Sequence, residues 1–325
     1  MAFARNWRHA WVAETPERVS IREIPSLNGV FSEAFTERYR KDGMVGVRVP
    51  HLNPAVWKFA ITDAEDGAMI WRNARDGIAA FNMVHRSGVE GWMGPLAVHP
   101  DCQAQGIGKM IVSSGVEWLK KHGAKVIGLE TMPRTMDNVG FYSALGFAPG
   151  HLTLTVTLEA ARGGLQAIGM SALSPHEREL AIRQCGHLLE QMAPGYDYTR
   201  EIVLTAQHEL GETVFVRTGS DVQSFAICHS VPLVEGRATE EMRVLKMVAR
   251  TEADFDHLVT QLCAHARVRG SKRVAIRVQG QYSDVYRRLI ARGARVRWTD
   301  LRMSLHDYAE SRPANGGIVL SNWEI

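Results

Sequence analysis

The chain has 325 residues, 45% hydrophobic and 22% charged, with 29 Gly and 12 Pro in no short period, which excludes a mainly disordered or collagen-like polymer and suits about two domains. Its net charge of +3 is evenly spread, with 17 basic and 16 acidic side chains up to Ala160, so neither half has the strongly basic character of a nucleic-acid binder. No apolar run reaches the roughly 18 residues of a membrane span, the start lacks a secretory apolar core, and Cys102, Cys185, Cys228 and Cys263 form no CxxC pair; the expectation is a cytoplasmic protein with reduced thiols, no metal site and no membrane partner.

In chain order, the pattern predicts a strand over Val19–Ile24 ending at Pro25, then a helix over Leu27–Arg40. Strands follow at Ala68–Arg72, Gly77–His85 and Val89–Val98, the last two joined by Ser87-Gly88 as a two-residue hairpin turn. That turn sets His85 opposite Glu90 across the hairpin. Gly106–His122 reads as a helix with Ile107, Ile111, Ser114 and Trp118 on one face. Lys120, Lys121 and His122 suit its C-terminal dipole, and Gly123 caps it. A strand over Lys125–Thr131 leads to a short helix from Thr135 to Gly146, and Phe147–Leu158 alternates as a closing strand.

The second half repeats this order. A strand over Gln166–Leu173 ends near Pro175, and a helical region runs to Gln207. Strands then come at Thr213–Arg217, Gln223–His229 and Met242–Ala249, followed by a helix over Ala253–Val268. A strand over Arg273–Val278, a helix over Ser283–Ala291 and a strand over Arg295–Leu305 complete it. Pro25 and Pro175 lie 150 apart, as do Val98 and Val248; Gly123 and Gly270 lie 147 apart, Tyr142 and Tyr286 144. A steady offset of this kind marks two copies of one domain, assigned to residues 1–160 and 166–310 with a linker at Glu159–Leu165. The tail, residues 311–325, is too apolar over Gly316–Ile325 to be a free end and is expected to pack back.

The segment Trp92–Leu119 carries the chemistry. Gly94-Pro95 interrupts a run of strand formers, and Pro95 has no N–H to donate, so the ladder should break there. The backbone of Leu96, Ala97 and Val98 is then left to pair with an extended, amide-bearing ligand. The strand runs into Gln103-Ala104-Gln105-Gly106-Ile107-Gly108, a turn whose free amides open a helix and suit phosphate groups, with Lys109 adding positive charge. A dinucleotide fingerprint fails because Ile111 stands where a small residue is needed, and a P-loop fails at Gln103 and Met110. An amide arm tethered to a pyrophosphate describes coenzyme A.

The pattern Val98, Pro100, Gln103, Gly106, Gly108 resembles the acyl-CoA signature of the GNAT acetyltransferase superfamily, and "NVGFYSALGF" over Asn138–Phe147 resembles that superfamily's second signature. The resemblance covers about Val19–Leu158. It implies an α/β (α+β) fold in which each copy is a mixed, mostly antiparallel sheet, with a splayed central strand pair and flanking helices. It also implies acetyl-CoA as co-substrate, held by Leu96–Val98, Gln103–Lys109, Asn138 and Tyr142. The activity implied is N-acetyl transfer to a primary amine, that of a small molecule, by direct attack on the thioester in the first copy. Two alternatives stay open: an acyl-CoA sensor without turnover, and transfer to a protein amine with the second half as docking surface.

Asn138 and Tyr142 lie four apart and share a helix face, while Phe141 and Leu145 read as core. The resemblance implies that Tyr142 faces the leaving sulfur. A phenol is a weaker acid than a thiol by roughly 2 kcal/mol, so hydrogen bonding to the thiolate competes with outright protonation. Many relatives carry a Glu six residues before the position of Val98. This chain departs from that with Trp92, which leaves Glu90 as the candidate base, with His85 as relay, or else water or a group from the second half.

The second copy lacks the glycines. Thr251 and Asp254 read as a capping box, and Glu252, Asp254 and Asp256 put carboxylates where a pyrophosphate would sit. The expectation is a degenerate copy that binds no acyl-CoA. From Arg267 to Arg302 there are 11 basic side chains against Asp284 and Asp300, which reads either as a face for an anionic partner or as a solvated face balanced by acids elsewhere. Nothing in the sequence indicates the acceptor amine or the oligomeric state.

Overall fold

The computed structural model describes residues 12–161, 168–313 and 315–323. Residues 162–165 of the expected linker, the first two residues of the strand expected at Gln166–Leu173, and the first eleven residues lie outside them. The first half runs β1 (Glu17–Arg18), α1 (Ile24–Lys41), α2 (Pro54–Ala64), β2 (Ala68–Arg72), β3 (Ile78–Ser87) and β4 (Glu90–Val98), then α3 (Ile107–Lys121), β5 (Val126–Thr131), α4 (Met136–Ala144) and β6 (Phe147–Glu159). The second runs β7 (Ile168–Gly169), α5 (Pro175–Met192), α6 (Thr199–Gln207), β8 (Gly211–Thr218), β9 (Asp221–His229) and β10 (Glu241–Ala249), then α7 (Glu252–Val268), β11 (Arg273–Gln279), α8 (Ser283–Ala291), β12 (Arg295–Leu305) and β13 (Ile318–Ser321). Element for element, β1–β6 and α1–α4 recur as β7–β12 and α5–α8.

The strand expected at Val19–Ile24 is a helix start, whereas the one expected at Gln166–Leu173 is present as β7 and then turns into a 3-10 segment over Met170–Ala172. Ser20 and Glu23 form a capping box, a 3-10 turn follows, and Pro25 lies in the first turn of α1. Ser174 and Glu177 do the same for α5, with Pro175 in its first turn. Proline lacks an N–H that the first helical turn would leave unpaired anyway, and its φ already suits a helix. The reciprocal cap therefore outweighs the β-branched residues Val19 and Ile21. The helix α2, begun by Asn53 as cap and Pro54, has no counterpart in the pattern read above.

The strands form one continuous sheet in the order β1-β2-β3-β4-β5-β12-β6-β11-β10-β9-β8-β7, with β13 paired to β10 off that path. The two halves exchange their closing strands. β12 runs antiparallel between β5 and β6, and β6 runs antiparallel between β12 and β11. Exchanging the two halves leaves the strand order unchanged, so the sheet has a pseudo-twofold axis at its centre. β6 does not simply close the first copy. It is the seam at which both halves share hydrogen bonds.

Helices cover both faces. On one, Leu27, Phe31 and Trp57 pack on Ile70 and Phe81; on the other, Ile111, Val112 and Leu119 pack on Ile127 and Leu129. The second half repeats this with Leu188 and Ile202 against Phe225, and Leu258 and Leu262 against Val274. The four cysteines are free. Among the described residues no helix is long and apolar enough to cross a membrane, and no cluster of His, Cys, Asp and Glu could hold a metal ion.

Candidate active site

The site begins at a kink in β4. Val84 faces Met93 and Asn82 faces Leu96, so Gly94 and Pro95 bulge opposite one residue of β3. Gly94 has φ 146°, which suits a residue without a Cβ. On the other side, the parallel pairing of β4 with β5 ends at Met93 and Leu129. Beyond that point Leu96, Ala97 and Val98 line a cavity of about 570 Å³. The broken ladder expected from Gly94-Pro95 is present.

At one end of this edge lies the glycine loop. Gln103 also lines the cavity; its side-chain amide donates to the carbonyl of Val98 at 3.1 Å and accepts from Lys41 at 3.1 Å. Ala104 and Gly106 both take left-handed φ, 60° and 80°. Gly106 is the N-cap of α3 and has no side chain to cover the amides of Ile107, Gly108 and Lys109, which therefore point out of the helix end. Gly108 lines the cavity, and a Cβ there would come 3.2 Å from the Phe141 ring. Ile107 turns inward into the core, whereas Ala104 and Lys109 are exposed and Gln105 is half-buried, and none of the four lines the cavity.

Asn138 and Tyr142 line the cavity together, as their spacing predicts. Phe141, expected to be core only, packs on the core and lines the cavity too. Burial pushes the Tyr142 phenol well above its ordinary value. It stays protonated near neutral pH and can donate a hydrogen bond. Thr135 stands before α4, but its hydroxyl donates to Asp42 at 2.7 Å and does not cap the helix.

The opposite wall comes from residues the pattern of the first half alone could not supply. Trp298, Asp300 and Arg302 of β12, Arg277 of β11, and Asn322 and Trp323 after β13 line the cavity beside Glu130 of β5 and Trp92 of β4. Arg277 binds Glu130 and, at 2.8 Å, Asp300; Arg302 binds Glu130 at 3.1 Å and Glu310 at 2.8 Å. Burial acts against it, but Arg277 and Arg302 hold the Glu130 carboxyl below its ordinary value. Burial raises the Asp300 carboxyl although Arg277 opposes the shift. The strand exchange brings these groups to the cavity, and the nearest sequence signal was the alternation of Arg with apolar residues along β11 and β12. Of the 11 basic side chains from Arg267 to Arg302, seven pair with described carboxylates, Arg269 with Glu212 and Arg288 with Asp256 among them.

Glu90 and His85 are not opposite one another. The turn is Gly88-Val89, one residue later than Ser87-Gly88, so Ser87 faces Glu90 and His85 faces Trp92. Gly88 takes the positive φ, 67°, at the first turn position, where glycine is favoured. Its close approach to the carbonyl of Gly195 also leaves no room for a Cβ. His85 instead meets Asp63 at 2.7 Å. Glu90 is fully buried behind the cavity wall and accepts from Trp92 (3.1 Å), Tyr198 (3.2 Å) and Ser321 (2.8 Å), with the Lys246 ammonium at 3.9 Å.

The second copy has the same kink but a different occupant. Pairing of β10 with β11 ends at Val244 and Ile276, and β10 bulges against β9 between Val244 and Lys246. Beyond it Lys246, Met247 and Val248, which the 150-residue offset aligns with Leu96, Ala97 and Val98, pair with Ser321, Leu320 and Val319 of β13. The tail packs back, as its apolarity predicts, and takes the position that the first copy leaves open. At the start of α7, Thr251 accepts from the amide of Asp254, and its hydroxyl donates to that carboxylate at 2.6 Å. The reciprocal half of the expected capping box is not made. Arg288 then pairs with Glu252 and Asp256.

The sequence model of the acetyltransferase (GNAT) family matches residues 32–147. A search among curated proteins finds no match. Among solved structures, the chain is similar to a putative acetyltransferase from Pyrococcus horikoshii, at 12% identity and TM-score 0.63 over 97% of this chain and 98% of that one. It is similar to a tandem GNAT protein from the clavulanic acid biosynthesis pathway, at 10% identity and TM-score 0.59 over 93% and 100%. N-myristoyltransferase of Saccharomyces cerevisiae, solved with myristoyl-CoA bound, matches at 9% identity and TM-score 0.64 over 95% and 80%. At these identities the likeness is one of fold.

Proposed function

We propose that this chain, a two-domain member of the GNAT superfamily, transfers an acetyl group from acetyl-CoA to a primary amine of a small molecule in the cavity of its first half. One observation carries the reading: the edge Leu96–Val98, released by the Gly94-Pro95 bulge, lines the same cavity as Gly108 at the uncapped start of α3 and Asn138 and Tyr142 of α4. That arrangement suits an amide-bearing pantetheine along the strand and a diphosphate at the helix end.

In this reading the backbone of β4 at the bulge polarises the thioester carbonyl. The neutral amine attacks the carbonyl carbon, the C–N bond forms, and the C–S bond breaks to release the thiolate. Tyr142 donates a hydrogen bond to the departing sulfur. Its raised pKa makes that role fit better than full proton transfer. Glu90, engaged by three donors behind Trp92, serves to hold the wall. Asp300, supplied by the second half and pushed toward a more basic range by burial, is the better placed acceptor for the proton the amine loses. The products are the N-acetylamine and free coenzyme A.

Calorimetry with coenzyme A and thiol release from acetyl-CoA with a panel of small amines test the reading together. The expected result is one coenzyme per chain and amine-dependent thiol release. Coenzyme uptake without release by any amine supports the sensor, and acylation confined to folded proteins supports the protein-amine enzyme.

A further inference from the structure

We infer that the kinked slot of the second copy has become the anchor for an acceptor-selecting wall: β13 fills it and so delivers Asn322 and Trp323 to the cavity of the first copy. The inference rests on the acyl-transfer reading of the first half. In both copies a bulge separates the fourth strand from the fifth. In the first copy the freed edge faces the cavity. In the second, Lys246–Ala249 bind Ile318–Ser321 in antiparallel register, and Ile318 and Leu320 are buried in that half's core.

The ordering continues past the strand. The amide of Asn322 donates to the carbonyl of Leu245 at 2.9 Å, and its side chain accepts from Gln279 at 2.9 Å and donates to the carbonyl of Arg277 at 3.2 Å. Ser321 donates to Glu90 and accepts from Lys246, both at 2.8 Å. The Lys246 ammonium lies 3.4 Å from the centre of the Trp323 ring, and that ring is 5.7 Å from Trp92. A buried cation against an aromatic face holds the ring in place. Trp323 is thus fixed from behind by the second copy and presented to the first.

The wall also states which acceptor it suits. Trp92, Trp298 and Trp323 line the cavity together with the carboxylates Glu130 and Asp300 and the arginines that pair with them, Arg277 and Arg302. Arg277 and Arg302 neutralise these carboxylates, so the flat apolar surface does the selecting, and it favours an amine whose body is aromatic or ring-like. The chemistry points to arylalkylamines over short alkylamines.

The test compares wild type with Trp323→Ala, Trp323→Phe and Leu320→Pro, using arylalkylamines and short alkylamines as acceptors and calorimetry with coenzyme A. Trp323→Ala is expected to lower kcat/KM tenfold or more for arylalkylamines, with a much smaller change for short alkylamines and a coenzyme Kd within twofold. Trp323→Phe should restore most of the loss. Leu320→Pro, which removes a strand donor outside the cavity, should shift selectivity in the same direction; if it fails to fold, the two Trp323 variants still decide. Equal loss for both amine classes, or loss that follows weakened coenzyme binding, overturns the inference. So does a wild type that binds coenzyme and acetylates no arylalkylamine. A wild type that binds no coenzyme instead overturns the acyl-transfer reading beneath it.

Discussion

Arg302 of the second half lies 3.8 Å over the ring of Trp92 of the first. The pair ties the exchanged strand β12 to the kinked strand β4, and it does so inside the wall of the cavity. Arg302 is 2% exposed and carries Glu130 and Glu310 as ion partners. Its removal takes the cation from the half-buried Glu310 and leaves Glu130 to Arg277 alone, which costs more than losing a surface pair would. Arg302→Met is therefore expected to lose about 3–5 kcal/mol of stability by chemical denaturation, with Arg302→Lys intermediate because a point charge cannot reproduce the fork.

Tyr142→Phe removes the donor proposed for the departing sulfur and leaves the ring in the core. A hydrogen bond to a charged group contributes roughly 1.5–3 kcal/mol, so kcat should fall about 10–100-fold while coenzyme Kd stays within twofold. Steady-state kinetics set against calorimetry separate the two, and an unchanged kcat would remove Tyr142 from the mechanism.

Asp300→Asn keeps the shape and the contact with Trp298 but removes the basic carboxylate. Loss of a positioned base typically costs 10²–10⁴-fold, and the acid limb of the pH profile in kcat should disappear with it. A profile that keeps its limb would leave proton removal to water.

Gly106 takes φ 80° as the residue before α3. Any residue with a Cβ is strained there by roughly 1–2 kcal/mol. Gly106→Val is expected to weaken coenzyme binding about 5–30-fold by calorimetry as the loop relaxes away from that conformation.

Glu201 is buried at the junction of the halves, where Ser87 donates to it. Burial, and then the charge of Asp63, push its carboxyl up to about 8. The folded state therefore holds a proton that the unfolded chain releases near pH 4.5. Its contribution is full below that pH and is lost as pH rises toward 8. Glu201→Gln should flatten this decline, which thermal melts from pH 5 to 9 would detect as a smaller loss of Tm in the variant. An equal slope in both proteins would assign the decline to other groups.

Much of the site was legible because it is local. The bulge at Gly94-Pro95, the left-handed Gly106 and the shared face of Asn138 and Tyr142 depend on residues a few positions apart, and backbone sterics act at that range. The strand end at Pro25 was misread because proline marks both the end of a strand and the first turn of a helix. Only the Ser20–Glu23 cap distinguishes the two. The facing partner of Glu90 was misread by a single turn residue, which in a hairpin shifts the pairing of every residue that follows.

The amino-acid sequence by itself determined that the chain is duplicated, that one copy keeps a glycine loop and a broken strand, and that the other fills its helix start with carboxylates. Only the tertiary structure decided that β6 and β12 change places, that β13 occupies the second slot, and that Arg277, Asp300, Arg302 and Trp323 reach the first. Periodicity and spacing record which face a residue turns to its own element. The neighbour on that face is chosen by burial and pairing across strands that lie far apart in the chain.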